Sequence, residues 1–263
     1  MNRLDAKIGA LLAALAFAGC AGASDPGTDR GGEGLAQSRT PNAVRGLIGN
    51  PSCGVSDLVR SDDRAKVDKE ALTCLEDTWV RGGAGGLHRE LPSFEGDRID
   101  TYYTVRRFGD VIEVVDPTRD RYGSPEWRVR GCLKLRVVGA QIGLSGCSGT
   151  ITVNENTPSK LLERRTLPYC GRLGPSPSPK QGHPVRACVR RALASGRAFE
   201  FERVRSSAPP RQTEIVRFNG NARDAFQIYV EQDTEEWTLV RCIGLDPLSE
   251  GDTGRGCDHE VRL

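Results

Sequence analysis

The cysteines constrain this chain most. Nine occur in 263 residues, and they divide into one isolated residue, Cys20, and two sets of four with matched spacing. Cys53, Cys74, Cys132 and Cys147 form the first set, and Cys170, Cys188, Cys242 and Cys257 the second. Cys74 precedes Gly82 as Cys188 precedes Gly196, and Phe108, Trp127, Cys132 and Cys147 recur at a constant offset of 110 as Phe218, Trp237, Cys242 and Cys257. The Arg107-Phe108 and Glu126-Trp127 pairs recur with them as Arg217-Phe218 and Glu236-Trp237. Shared aromatic positions inside a shared cysteine frame point to a tandem duplication. Even-numbered cysteine sets in a chain of lean core composition (37% hydrophobic, 6% aromatic) point to disulfide staples formed in an oxidising compartment.

Each copy opens with a cysteine-glycine pair and then a helical pattern. In the first, Ser61 stands as an N-cap with Asp62 and Asp63 in the first turn, and Val67, Ala71, Cys74, Leu75 and Thr78 share one face before Gly82-Gly83. In the second, Pro184 suits the first helical position and Gly196 the stop, which gives a shorter helix. Period-two runs follow: Leu87 with Leu91, Tyr103 with Val105, 111–115 and 127–135 in the first copy, and 198–204, 213–218, 226–230 and 236–243 in the second. Asn219-Gly220 is a hairpin signal between two of them. The expected fold is therefore α+β, two tandem copies of one helix followed by a four-stranded antiparallel meander. That order resembles cystatin-like domains in architecture, which implies no function. The expected pairing is Cys53–Cys74, Cys132–Cys147, Cys170–Cys188 and Cys242–Cys257; a nested alternative joins each helix cysteine to the last strand.

Residues 1–19 read as a signal peptide. Arg3 and Lys7 precede a charge-free run from Ile8 to Gly19, too short for a helix crossing the hydrocarbon core. Phe17-Ala18-Gly19-Cys20 resembles the lipobox of bacterial lipoproteins, with phenylalanine where leucine is usual. The resemblance implies lipid attachment at Cys20, anchoring to a membrane, and, because Ala21 and not an aspartate follows, the outer membrane. Cleavage after Ala23, at Ala21-Gly22-Ala23, gives the alternative of a secreted soluble protein. Residues 20–49, rich in Gly, Ser, Asp, Thr and Pro, read as a flexible tether, leaving 50–155 and 156–263 for the two copies.

Net charge is +2 and falls to +1 once Arg3, Lys7 and Asp5 leave with the signal. Both signs are interspersed, so no nucleic-acid footprint is legible. Two acidic segments distinguish the first copy, Glu95-Gly96-Asp97-Arg98-Ile99 and Asp116-Pro117-Thr118-Arg119-Asp120-Arg121-Tyr122-Gly123-Ser124. Over about Leu72 to Cys132 they resemble an uncharacterised family of bacterial exported domains with E-G-D-x-I and D-x-T-x-D-x-aromatic-G segments. Glu95, Asp97, Asp116 and Asp120 are calcium candidates, because alternate oxygens line such loops; Arg121 and Trp127 stand where an EF-type loop needs glycine and glutamate. The competing reading is turn chemistry. His88, His183 and His259 lie in no nucleophile or zinc motif. No cofactor is implied. The function expected is a non-enzymatic binding or scaffolding lipoprotein of the cell envelope. The alternatives are a hydrolase using the acidic loops, or an inhibitor that wedges hairpin tips such as Gly109-Asp110 and Asn219-Gly220 into a partner.

Overall fold

A computed structural model describes residues 40–48, 51–57, 64–107, 109–175, 179–205, 212–220, 226–232, 237–242 and 257–262. The expectations for the signal, for Cys20, for Ser61 and for Phe108 lie outside these residues. Thr40–Leu263 forms one compact unit of mixed α+β structure with two sheets. No helix among the described residues is long and apolar enough to cross a membrane.

The first sheet follows helix α1 (Asn42–Ile48) and holds β1 (Val55–Asp57), β2 (Gly85–Pro92), β3 (Arg98–Val105), β4 (Val111–Asp116), β5 (Trp127–Val138) and β6 (Gln141–Cys147) in that order, with β7 (Ile151–Val153) added on β5. Helix α2 (Arg64–Val80) connects β1 to β2, which pair in parallel, whereas all later neighbours are antiparallel. The second sheet follows α3 (Ser159–Glu163) and runs β8 (Tyr169–Leu173), β9 (Phe199–Val204), β10 (Gln212–Phe218), β11 (Phe226–Gln232), β12 (Trp237–Cys242) and β13 (Cys257–Arg262). Here α4 (Pro179–Ala194) connects the parallel pair β8 and β9. The expected four-stranded meander is thus five-stranded in each sheet, with a parallel strand at its edge. β1 has three residues, too few for a periodicity to show, and β6 follows β5 so closely that it reads as a tail.

Both long helices stop by the same device. Gly82 (φ 64°) and Gly196 (φ 61°) adopt the left-handed conformation that glycine reaches without steric cost. Gly82 N–H donates to Trp79 O and Gly83 N–H to Thr78 O; Gly196 N–H donates to Leu193 O and Arg197 N–H to Ala192 O. These are paired Schellman closures. Pro184, expected at the first helical position, lies inside α4, which starts at Pro179 and is as long as α2 to within one residue (16 against 17). Pro179, with the fixed φ and absent N–H that suit a first turn, takes the position instead.

Alternation along the strands gives each sheet one face for its helix and one for the other sheet. Ala71, Leu72 and Leu75 of α2 pack on Leu87, Tyr103, Val105 and Val111. Val185 and Val189 of α4 pack on Phe199, Phe201, Val216 and Phe226. The opposite faces share a third core, where Ile112, Val114, Trp127 and Val129 meet Ile215, Tyr229, Trp237 and Leu239. Ala43, Val44 and Leu47 of α1 and Leu161 and Leu162 of α3 belong to it. Residues 42–48, assigned to the tether from sequence, are therefore a buried helix. A run of seven residues with three buried apolar side chains is too short to stand out in a glycine-rich composition.

The structure forms four disulfides, Cys53–Cys74, Cys132–Cys147, Cys170–Cys188 and Cys242–Cys257. Cys53, in the turn before β1, and Cys170, in β8, are tied to their helices, and the other two bridges join directly opposed residues of the last strand pair. The aromatic match between the halves is looser than the sequence offset. Phe218 ends β10 opposite Phe226, the place held in the first sheet by Val105 opposite Val111, whereas Arg107 is an exposed turn residue and Arg217 a buried strand residue. The segment between the sheets is clamped: Arg106 donates to the carbonyls of Glu163 and Arg164, and Thr166 N–H to Asp110 Oδ2 at 2.9 Å. Gly131 in mid-β5 lets it approach, since a Cβ there would lie 2.1 Å from Thr166 Oγ1.

Candidate functional site

The acidic segments of the first half come together as a brace between two loops. Asp97, in the β2–β3 turn, accepts hydrogen bonds from the backbone N–H (3.2 Å) and Nε (3.0 Å) of Arg121, in the β4–β5 loop. Those bonds hold its carboxyl below the usual range. Glu95 is exposed, with Ser93 Oγ at 3.4 Å. Asp116 accepts from Thr118 N–H at 2.9 Å and Asp120 from Tyr122 N–H at 3.2 Å, each bonding the amide two residues on, as Asp does when it shapes a turn. The four calcium candidates thus serve loop geometry and face different partners. Phe94 (fully exposed) and Tyr122 crown the brace. Gly109-Asp110 is no exposed tip, because Asp110 is buried against Arg106.

Strand pairing gathers a different set. His88 on β2 and Asp100 on β3 meet at 2.7 Å (Nε2 to Oδ1), and Glu90 lies beside them. Arg98 contacts both Glu90 and Asp100, and Arg119 Nε lies 3.7 Å from Asp100 Oδ2. Burial alone would raise the Asp100 carboxyl, but the His88 hydrogen bond and the two guanidinium charges outweigh it and hold it low. Asp116, directly opposite Asp100, goes the other way: burial and the Asp100 charge raise it. The Tyr102 ring stacks on His88 (centroids 4.4 Å apart), and burial with the neighbouring carboxylates pushes its hydroxyl to about 12. A cation entering among His88, Glu90 and Asp100 would have to displace two arginines. The group is chemically a closed ion-pair network.

An open site lies between the sheets. A cleft of ≈ 190 Å³ is walled by Gly149 and Thr152 on one side and by Tyr169, Arg172, Glu202 and Trp237 on the other. Gly149 sets its width, since a Cβ there would lie 3.2 Å from the Tyr169 hydroxyl and 3.4 Å from Glu202 Oε2. Arg172 Nε is 3.2 Å from Glu202 Oε1. Burial raises the Glu202 carboxyl despite that cation, and burial with the Glu202 and Glu200 charges raises the Tyr169 hydroxyl. Trp237 is 3% exposed, and its indole N–H has no hydrogen-bond partner among the described residues. A buried donor left unpaired costs about 1–3 kcal/mol. The cleft escaped sequence reading because its residues come from separate strands. One signal was available: Phe199-Glu200-Phe201-Glu202 alternates aromatic with acid, which sends two carboxylates to the face opposite a helix-covered core.

Compared with protein families, curated proteins and solved structures, the chain matches none of them.

Proposed function

We propose that this chain is an exported, lipid-anchored binding protein of a bacterial envelope, placed on the outer membrane through Cys20, with two tandem copies of one α+β module as its body. The paired Schellman closures, the matched disulfide positions and the parallel edge strands support the duplication. So does a shared beginning, Thr40-Pro41 before α1 and Thr157-Pro158 before α3, with the amide three residues after each proline bonded to its carbonyl. Helix followed by antiparallel meander is the cystatin-like order, to which each copy adds the parallel strand.

The cleft beside Gly149 is the binding site, and its ligand is a small polyhydroxylated molecule, a saccharide unit. The observation that carries this reading is the convergence of an acceptor (Glu202), a donor (Arg172), an amphoteric hydroxyl (Tyr169) and the Trp237 side chain in one narrow cleft between two cores. The lining is mostly polar, with Ile151, Ile215 and Trp237 as its apolar surfaces, which suits a ligand rich in hydroxyl groups. Binding is favoured over hydrolysis because Asp97, Asp116 and Asp120 are each engaged by an arginine or a turn amide, and Glu95 stands exposed beside Ser93 and away from them.

The test is calorimetric titration of the mature protein, purified from bacterial membranes, with a panel of mono- and disaccharides. Binding lost in Glu202→Ala and weakened in Trp237→Phe, which removes only the N–H and the larger ring, is the expected result. Saccharide binding that survives Glu202→Ala would refute the site. Intact mass of the same preparation tests the anchor: an acylated Cys20 N-terminus is expected, and an unmodified N-terminus at Ser24 refutes it.

A further inference from the structure

A second concave surface runs along the segment that joins the two sheets. It is an open groove of ≈ 850 Å³ between that segment, Arg197 and Ala198 after α4, and Asn219, Gln227 and Tyr229 at β10 and β11. Lys160, Arg164, Arg165, Arg197 and Arg217 line it, against one lining carboxylate, Glu163. Lys160, Arg165 and Arg197 are exposed at its rim and make no ion pair among the described residues. The concentration of charge is invisible in a chain of net +2, because the five cations come from three separate stretches of sequence and meet only in the fold.

The buried end of the groove is built. Arg164 and Arg217 both pair with Glu200, at 3.0 and 2.9 Å, and all three side chains are at least nine-tenths buried. Two guanidinium groups share one carboxylate, which leaves an uncompensated positive charge. Burying such a charge is expensive unless something of opposite sign comes near. Arg217 is further held by Arg165 O at 2.5 Å, while its Nη1 reaches Gln227 only at 3.5 Å, so this N–H is the weakly engaged one. Burial lowers the Arg217 pKa, the Glu200 charge opposes that shift, and the Arg164 charge adds to it. The same groove carries apolar surface from Leu133 and Pro168 and side-chain amides from Asn219 and Gln227.

We propose that this groove binds a phosphorylated saccharide, the phosphate groups meeting Lys160, Arg165, Arg197 and the weakly engaged Nη1 of Arg217, and the sugar lying against Leu133 and Pro168. Guanidinium forks match phosphate oxygens two at a time, and the adjacent amides and apolar patches suit a sugar ring's hydroxyls and C–H faces. Nucleic acid is the poorer fit, since single strands bind by stacking bases on aromatic side chains and the one aromatic lining residue, Tyr229, is 5% exposed. The groove shares no lining residue with the cleft beside Gly149, although Glu200, which pairs with Arg164 and Arg217, lines that cleft.

The experiment measures binding of the mature full-length protein to a bisphosphorylated disaccharide by calorimetry at low and at physiological salt. The same disaccharide without phosphate, inorganic phosphate, polyglutamate and a single-stranded DNA oligonucleotide are run in parallel. The expected result is binding of the bisphosphorylated sugar that weakens with salt, at least tenfold tighter than any of the other four. The variant Lys160→Gln/Arg165→Gln/Arg197→Gln alters only exposed side chains. It should lose affinity at least tenfold with the thermal midpoint unchanged, and Glu202→Ala should bind as the wild type does. A second arm presents the same headgroup on lipid vesicles: co-sedimentation assigns a membrane glycolipid as the source, and binding to the free sugar alone assigns a soluble one. Equal affinity for the unphosphorylated sugar, for polyglutamate or for DNA, or undiminished binding by the triple variant, overturns the proposal.

Discussion

Glu200→Gln tests the account of the buried triad directly. Glu200 is 1% exposed and is the only carboxylate that Arg164 and Arg217 contact among the described residues. Its two oxygens receive Arg164 Nη2 at 3.0 Å, Arg164 Nε at 3.2 Å and Arg217 Nε at 2.9 Å. Glutamine keeps one acceptor and removes the charge, so two buried cations lose their counterion. Breaking a buried pair from one side costs about 3–5 kcal/mol. At about 2–4 °C per kcal/mol for a body of this size, the thermal midpoint should fall by roughly 6–20 °C. Urea unfolding with the disulfides intact, followed by tryptophan fluorescence, gives the free energy independently. Replacing the whole triad, Arg164→Met/Glu200→Leu/Arg217→Met, should recover most of the loss, because no unpaired charge is left. A loss below about 1 kcal/mol for Glu200→Gln, or a triple variant as unstable as the single one, would refute the reasoning.

Three further outcomes follow from individual contacts. Cys132→Ala/Cys147→Ala opens a loop of sequence separation 15 and should cost about 3 kcal/mol in chemical denaturation, with the helix disulfides still formed by mass. Gly131→Ala forces a Cβ to within 2.1 Å of Thr166 Oγ1 and should cost about 1–3 kcal/mol; Thr166→Gly in the same chain should relieve it. Glu202 has a folded-state pKa above its usual 4.5, so the folded protein holds that proton more tightly than the unfolded chain does. Its contribution to stability is then greatest below 4.5 and is lost as pH rises through the folded value. Glu202→Gln removes that loss: relative to wild type it should be more favourable at pH 7 than at pH 4, and an equal difference at both pH values would count against the buried placement of this carboxyl.

The cysteine frame and the glycine stops were legible because each is a local device: Gly82 and Gly196 end helices whatever surrounds them. The missing strands were not, since β1 acquires its conformation only by pairing with β2, and a three-residue segment carries no period of its own. The match of Arg107 with Arg217 misled for a related reason. The β3–β4 and β10–β11 connections differ in length, so an offset fixed by the cysteines fails within that hairpin and recovers by Trp127 and Trp237. Neither the cleft nor the groove follows from spacing. Each is assembled from side chains that are distant in sequence, and alternation along a strand tells which face a residue occupies but not which surface faces it.

The same register explains why one half has a closed ionic network where the other has an opening. In the first sheet Glu90, Asp100 and Asp116 stand abreast on three adjacent strands; the corresponding row of the second sheet is Val204, Thr213 and Glu231. Like charges directly opposite repel, so the first row holds only with cations laid over it, and Arg98 touches both Glu90 and Asp100. Arg98→Gln should therefore be costly in a pH-dependent way. Without that cation the Asp100 carboxyl rises, so part of its stabilising contribution, present above the usual 3.8, disappears at neutral pH. Protonation of the row at low pH removes the repulsion that the arginine was answering. Urea unfolding at pH 7 and at about pH 2, below the usual 3.8 of a free aspartate, measures this: the variant should lose clearly more at pH 7, whereas the same loss at both would mean that Arg98 acts by packing its aliphatic stem and not by charge.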